Sequence, residues 1–272
     1  MKISVIIPSY KPQNYIWECL DSLKNQTFSK SDFEIILILN GCNEPYKTQI
    51  DNYIEKNLQG YNVNFIQTDQ GGVSNARNIA LDVAQGEYIT FIDDDDFVSE
   101  VYLEELYLKA TPEVISLCYP YAFDDGKIEV QRNYAITDVF DKNVCGGKQE
   151  YQRGRKYFSG PCMKLIPKDY ISDRRFDVRF RNGEDSIFMF LISDKFKFVD
   201  FTSKEAVYYR RYRENSAVTM KRSKMKIIKN QLKMIVEYLK IYFRNPLKYD
   251  FKFFVTRILG AVNMILFSFK NK

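Results

Sequence analysis

Gly86-Glu87-Tyr88-Ile89-Thr90-Phe91-Ile92-Asp93-Asp94-Asp95-Asp96 is the stretch on which the fold reading turns. Residues 88–92 are apolar or β-branched and predict a buried strand, which the four aspartates stop. Like charges this close raise the cost of ionising all four unless a cation is present. In an extended segment alternate residues face the same way, so Asp93 and Asp95 could address one ion while Asp94 points elsewhere. A divalent ion held by two carboxylates, with substrate phosphates filling its open positions, is the usual magnesium arrangement. The bland alternative is a solvated acidic turn that caps a helix near residues 99–109.

Upstream of this strand the chain alternates strand and helix. Residues 3–7 form a short β-branched run that gives way to Pro8-Ser9-Tyr10, residues 34–39 a second continuous apolar strand stopped by Asn40-Gly41, and residues 63–66 a weaker third. Between them Tyr15, Ile16, Leu20 and Leu23 recur at helical spacing behind a candidate N-cap, Asn14. Val73, Ala76, Ile79, Ala80, Val83 and Ala84 mark another amphipathic helix, closed by Gly86. Continuous apolar strands alternating with helices predict an α/β fold, Rossmann-like, with a mostly parallel sheet covered on both faces. Ligands of such sheets gather beyond the carboxyl ends of the strands. Ser9-Tyr10, Asn40-Gly41 and the aspartate run all lie there, so they should converge on one crevice.

Composition narrows the chemistry. The 272 residues include no histidine, which removes histidine-based acid–base catalysis and imidazole-held zinc and leaves oxygen ligands, favouring Mg²⁺, Mn²⁺ or Ca²⁺. Cys19, Cys42, Cys118, Cys145 and Cys162 lie far apart without a C-x-x-C pair, which speaks against a zinc ribbon or a disulfide scaffold and suits a reducing compartment. No signal peptide is expected from the first residues, where Pro8 ends a short apolar run, so a cytoplasmic location is expected.

Charge is uneven. Residues 221–272 carry 13 Lys/Arg against two acids, Glu237 and Asp250, while residues 1–220 carry 27 bases and 33 acids. Residues 1–110 are read as the first half of one domain, 111–220 as its second half with looser strands near 114–119, 197–201 and 206–211, and 221–272 as a basic tail of two helices, 223–243 and 247–269. The apolar stretch 253–269 has 17 residues and several polar interruptions, short of the ~20 that a spanning helix needs. With its lysines and arginines the tail suits peripheral docking on an anionic membrane, at the inner face; its apolar residues can instead pack on the domain or on a second copy as a homodimer.

Several segments, in order, resemble family 2 glycosyltransferases of the GT-A fold. They are Ile3-Ser4-Val5-Ile6-Ile7-Pro8-Ser9-Tyr10, the Cys19–Leu23 helix with Gln26-Thr27-Phe28, Phe33-Glu34-Ile35-Ile36, Gly72-Val73-Ser74-Asn75-Ala76-Arg77-Asn78, the strand with its aspartates, Lys164-Leu165-Ile166-Pro167-Lys168 and Gly183-Glu184-Asp185-Ser186-Ile187-Phe188. The resemblance spans residues 1 to about 216 and implies that residues 1–110 are the nucleotide-sugar-binding half of the domain and 111–220 its acceptor-binding half. It implies transfer of a sugar from a nucleotide-diphospho-sugar to a saccharide or lipid-linked saccharide, in surface polysaccharide synthesis, with Mn²⁺ or Mg²⁺ as cofactor and no nucleic acid as partner. It implies an Asp-x-Asp element at Asp93 and Asp95, Asp95 being the direct metal ligand. Pro8, Ser9, Tyr10, Asn40, Arg77, Asp93 and Asp94 would then surround the nucleotide-sugar. The family usually has an aspartate where this chain has Leu39; Asn40 still donates and accepts hydrogen bonds, and UDP is the expected nucleotide.

Without histidine, a carboxylate is the natural base for the acceptor hydroxyl. Glu184-Asp185 begins an apolar helical segment, and the resemblance assigns the base to Asp185, making the transfer a single inverting displacement, with Glu184 in support. The ordinary alternative is a pair of acids favoured by the helix dipole. Among Arg210, Arg211 and Arg213 the sequence does not choose which assists the diphosphate, with Arg210 and Arg213 the candidates carried forward; Lys164 is a candidate acceptor contact or a solvated turn lysine. A sugar-nucleotidyltransferase would instead place a Gly-rich phosphate loop after the first strand, where this chain has Pro8-Ser9-Tyr10-Lys11-Pro12. A non-catalytic protein binding nucleic acid or lipid through its tail is the rival from another class.

Overall fold

The first hundred residues build the alternation read from the sequence. In the computed structural model, which describes residues 1–214 and 223–270, strands β1 (Ile3–Ser9), β2 (Phe33–Asn40), β3 (Asn62–Thr68) and β4 (Tyr88–Phe91) alternate with helices α1 (Tyr15–Lys24), α2 (Tyr46–Asn57) and α3 (Val73–Val83). These strands are parallel, in the order β3-β2-β1-β4. Every residue of β1 and β2 is buried, so both faces of the sheet are covered. The chain runs outward from β1 first on one side and then on the other. This makes the carboxyl ends of β1 and β4 the switch point at which such sheets bind ligands. Pro8 fits inside β1 because the ladder with β4 has already ended at Ile6 and Phe91, and on that side no N–H is needed.

Beyond β4 come β5 (Phe97–Val98), α4 (Tyr102–Lys109), β6 (Val114–Leu117), β7 (Tyr119–Asp124), β8 (Lys127–Gln131), α5 (Thr137–Asn143), β9 (Gln149–Glu150), β10 (Lys164–Pro167), α6 (Lys168–Ile171), α7 (Glu184–Leu191), β11 (Phe198–Phe201) and β12 (Val207–Tyr212). The main sheet continues β4-β10-β6-β11-β9, with β10 antiparallel to β4 and β6, so it is mixed rather than mostly parallel throughout. The strand read at 114–119 is two strands. Cys118 breaks it, with β6 staying in the main sheet and β7 leaving for a second one, β5-β12-β7-β8. That second sheet returns β12 to the foot of the aspartate run through its pairing with β5.

One helix reading needs correction, and one helix was missed. Asn14 occupies the N-cap of α1 in a helical conformation and makes no side-chain capping bond. Helix α2 was not foreseen, although Tyr46, Ile50, Tyr53 and Ile54 recur at helical spacing and pack on the core, Ile50 alone being fully buried.

The tail forms α8 (Lys224–Arg244) and α9 (Phe251–Lys270), and it packs on the domain. Asp250 caps α9, accepting from the Phe253 N–H at 2.6 Å. Helix α8 lies against the start of α7. Asn230 Nδ2 donates to the Asn182 carbonyl at 3.1 Å, Tyr238 Oη to Ser186 Oγ at 2.7 Å, and Met234 and Tyr238 are buried. Gly183 opens α7 at φ +84°, and a Cβ there would meet the tip of Met234 at 2.4 Å. Met234 can swing aside, but the backbone cannot, so Gly183→Ala should cost ~1–2 kcal/mol of stability from left-handed strain, read by urea unfolding.

Helix α9 runs 20 residues, about 30 Å. That exceeds the 17-residue stretch read from sequence, and among the described residues α9 is the one helix long and apolar enough to cross a membrane. Its inner side, with Phe253, Phe254 and Ala261, is buried on the domain, whereas Leu259, Leu266, Phe267 and Phe269 are exposed, as are Leu232, Val236 and Phe243 of α8.

Candidate active site

The three polar strand ends converge as expected, but the aspartate run is not extended. The Asp96 N–H donates to the Asp93 carbonyl at 3.0 Å, closing a turn that fans the four carboxylates to four partners. Asp94 accepts from Ser9 Oγ at 2.6 Å, linking β1 to the turn. Asp95 accepts from Arg213 Nε at 2.8 Å and lies 2.6 Å from its terminal nitrogen. Asp93 meets Arg77 at 3.0 Å. Asp96 is buried and structural: it accepts from Tyr208 Oη and from the Arg211 N–H, both at 2.7 Å, and so ties β12 to the turn. The run does not cap α4, which starts at Tyr102. Crowding has an electrostatic signature. Burial, with Asp95 and Asp93 adding to it, pushes the Asp94 carboxyl up to about 7 against the Ser9 hydrogen bond. Asp95 is also raised, by burial first and then by the charge of Asp93.

Asn40 is spent on the scaffold. It is buried, its Nδ2 donates to the Ser9 carbonyl at 2.6 Å, and its Oδ1 accepts from the Gly72 N–H at 2.8 Å. It therefore locks the ends of β1 and β2 to the start of α3 rather than presenting free polar atoms. Gly41 beside it, at φ +65°, lets the 71–72 loop approach: a Cβ would sit 2.7 Å from Gly71 Cα. Tyr10 is exposed beyond the end of β1, and Pro8 is buried within it.

Arg77 joins the two halves of the site. It is 2% exposed on α3, packs over the Phe176 ring, and donates to Asp185 Oδ1 at 2.5 Å and to Asp93 Oδ1 at 3.0 Å. Burial pulls its pKa down, but Asp185 and Asp93 outweigh that and keep the guanidinium charged. Both terminal nitrogens thus serve carboxylates. Asp185, at the first turn of α7, is raised by burial and lowered by Arg77. Glu184 is buried, its Oε2 lacks a hydrogen-bond partner, and burial with the Asp185 charge pushes it up to about 7.

Arg210 and Arg211 of β12 and Arg213 just beyond it separate by alternation along the chain. Arg211 and Arg213 share the face of the turn: Arg211 donates to the Asp95 carbonyl and pairs with Asp125 and Glu18, while Arg213 holds Asp95 and stacks on Tyr15 at 4.2 Å. Arg210 faces the other way and donates to Tyr134 Oη at 2.6 Å, so it does not join the aspartates. Asn215 and Ser216, next along the chain, lie outside the described residues.

Lys164 is neither a turn residue nor solvated. It opens β10 fully buried, and its Nζ donates to the carbonyls of Gly160 and Cys162 at 2.6 and 2.5 Å. It shapes the loop that faces Asp185, since a Cβ on Gly160 would lie 3.9 Å from Asp185 Oδ2. Burial lowers its pKa from 10.5 to about 8. A depressed lysine carries its full folding cost below the folded value and loses it as pH rises to the unfolded value. The contribution of Lys164 itself should therefore rise between pH 8 and 10.5, by on the order of 3 kcal/mol at most, against the opposite trend from Cys118 and Tyr208, whose pKa values burial raises. In Lys164→Met, followed by chemical denaturation, this rise should be absent.

The residues suit a hard divalent cation. The donor set is all oxygen, and Asp93 and Asp95 sit close enough to repel one another. Among the described residues no three acidic or cysteine side chains group to hold an ion by themselves, so a bound substrate's phosphates would complete the coordination, as magnesium usually requires. Tyr208 and Tyr15, which support the turn and its arginine, were not foreseen. Only the register of β12 with β5 brings Tyr208 there, and no local motif marks it.

Comparison with known proteins gives a family and a fold. Residues 4–174 match the family model described as Glycosyl transferase family 2. The minor teichoic acid biosynthesis protein GgaB of Bacillus subtilis is 30% identical over 230 residues, covering 81% of this chain and 24% of that protein. The GalNAc(5)-diNAcBac-PP-undecaprenol beta-1,3-glucosyltransferase of Campylobacter jejuni is 27% identical over 248 residues, covering 86% of this chain and 76% of that one. Staphylococcus aureus TarS 1-349 in complex with UDP-GlcNAc superposes with a TM-score of 0.72 at 21% identity, covering 100% of this chain and 74% of that one. The chain thus spans about a quarter of the length of GgaB. The fold is GT-A-like, a mixed sheet flanked by helices with a helical C-terminal part. With the match covering well over half its residues, the chain belongs to glycosyl transferase family 2.

Proposed function

We propose that the protein is a metal-dependent, inverting glycosyltransferase that moves one sugar from a UDP-sugar to a hydroxyl of a surface glycan or its lipid-linked precursor. The observation that carries this reading is the single Arg77 guanidinium touching both Asp93 and Asp185. The carboxylate suited to the leaving group and the carboxylate suited to the acceptor are held by the two ends of one planar fork, which fixes the two sides of the reaction relative to each other. Asp185 takes the proton of the acceptor hydroxyl. The acceptor oxygen then bonds to the anomeric carbon as that carbon's bond to the diphosphate oxygen breaks, and the nucleoside diphosphate leaves with the electron pair. Mn²⁺ or Mg²⁺ held by Asp95 and Asp93 would neutralise charge on the leaving diphosphate. Arg213 lies on the same side and adds a cation. Ser9 fixes Asp94 beneath this end, and Tyr10 offers an exposed ring for the base.

UDP as donor is supported by the complex of TarS with UDP-GlcNAc, and a glycan of the cell surface as acceptor by the named roles of GgaB and the Campylobacter enzyme. Asp95→Ala should remove the manganese dependence of UDP binding in calorimetry, and equal affinities for wild type and variant, with and without the ion, would reject the metal site.

The exposed apolar residues of α8 and α9, set among lysines and arginines, support peripheral docking on the inner, anionic face of a membrane. Vesicle flotation should recover the protein with anionic lipid and lose it with Leu266→Asp/Phe269→Asp. A concentration-dependent dimer that masks the same residues and does not float would contradict docking.

A further inference from the structure

A second cavity, of about 380 Å³, opens on the far side of β12 from the aspartate turn, between α9 and the loops around residues 134 and 155. Four cations line it, Arg155, Lys156, Arg210 and Arg257, and no acidic side chain does. None of the four is ion-paired with a carboxylate among the described residues. Three are held in place by neutral groups, Lys156 by the Ala135 carbonyl at 3.4 Å. Arg210 donates to Tyr134 Oη, and Arg257 lies over the Phe253 ring at 4.5 Å while donating to the Phe158 carbonyl. Arg257 Nε is buried without any hydrogen-bond partner. Burial, with Arg155 adding repulsion, lowers the Arg257 pKa to about 10. Four positive charges around one hollow whose wall holds no carboxylate, with Asp96 acting on Arg210 only from across the strand, make a receptor for an anion.

The cavity also has a defined relation to the reaction. Ser159 is on its wall, and the next residue, Gly160, faces Asp185 Oδ2. Arg210 points into it while its neighbours Arg211 and Arg213 point to the aspartates, so the two sides of one strand serve two anionic regions. Guanidinium groups favour the tetrahedral oxygens of phosphate, which two or more of them can share.

We propose that this cavity is an acceptor subsite that binds a phosphate group next to the hydroxyl being glycosylated. The proposal rests on Asp185 as the base that marks the acceptor side. The phosphate belongs either to a phosphodiester polymer or to the diphosphate of a lipid-linked saccharide, and the subsite recognises the chemistry they share.

Calorimetry on the full chain separates these cases with two probes, a synthetic glycerol-phosphate hexamer and a short-chain polyprenyl-diphosphate monosaccharide in detergent. Wild type should bind at least one of them. Arg155→Gln/Lys156→Gln, both exposed and so neutral to folding, should weaken that binding about ten-fold or more and leave UDP affinity unchanged; Arg257→Gln should weaken it further if it folds. Binding of the hexamer identifies a phosphodiester acceptor, and binding of the lipid probe alone identifies a lipid diphosphate. Binding of neither probe, equal binding by the double variant, or equal affinity for an oligogalacturonate of matched charge would overturn the proposal. Failure of wild type to bind UDP would instead count against the transferase reading, while the phosphate probes still report on this cavity.

Discussion

Asp185→Asn is expected to lower kcat for sugar transfer by about 10²–10⁴-fold, the usual share of a positioned base, and to leave UDP affinity nearly unchanged. The amide oxygen can still accept from Arg77, so the link between α3 and α7 survives; what disappears is the ability to take the hydroxyl proton. Folding should therefore be close to wild type by thermal melting, and the loss should appear in kcat rather than in the KM for donor. Glu184, one residue earlier, is buried with an unpartnered oxygen and a pKa pushed up to about 7. If Asp185→Asn kept full activity and Glu184→Gln lost it, the base would have to be reassigned.

Arg77→Met should be the most damaging single change to stability. The side chain is 3% exposed and separates two carboxylates whose side chains are 30% and 44% exposed, Asp185 and Asp93. Removing one member of a buried ion pair costs ~3–5 kcal/mol, because the charge left behind is uncompensated. Here two acids are left facing each other, but both reach solvent, so the lower end, ~3 kcal/mol, is expected in urea unfolding. Arg77→Lys should recover only part of this, since an ammonium cannot present two parallel N–H groups to carboxylates on opposite sides. A loss below ~1 kcal/mol, the range of surface ion pairs, would show that the bridge has little structural weight.

The parts of this site legible in the sequence were those that rest on local pattern. Continuous apolar runs gave β1, β2 and β4 to within two residues, and the polar residues ending them identified the crevice, because strand ends in a parallel sheet must coincide. Glu184-Asp185 at a helix start was legible for the same reason, as apolar periodicity begins directly after it. What the sequence did not show depends on long-range pairing. Lys164 was read as either an acceptor contact or a solvated turn lysine, since nothing local says that residues 164–167 enter the main sheet antiparallel, with the ammonium absorbed by two carbonyls of its own loop. The choice among Arg210, Arg211 and Arg213 is set by the register of β12 against β5 and β7, which no motif encodes. The aspartates were read as extended because alternation is the default for a strand. The chain turns instead, since Asp96 must reach Tyr208 of β12, 112 positions away in sequence.

Anomalous diffraction at the manganese edge, from crystals grown with UDP and Mn²⁺, tests the central claim most directly. A single strong peak is expected against the Asp93 and Asp95 carboxylates, with the UDP diphosphate on its open side. UDP bound elsewhere, or bound in the crevice with no peak at the aspartate turn, would contradict it.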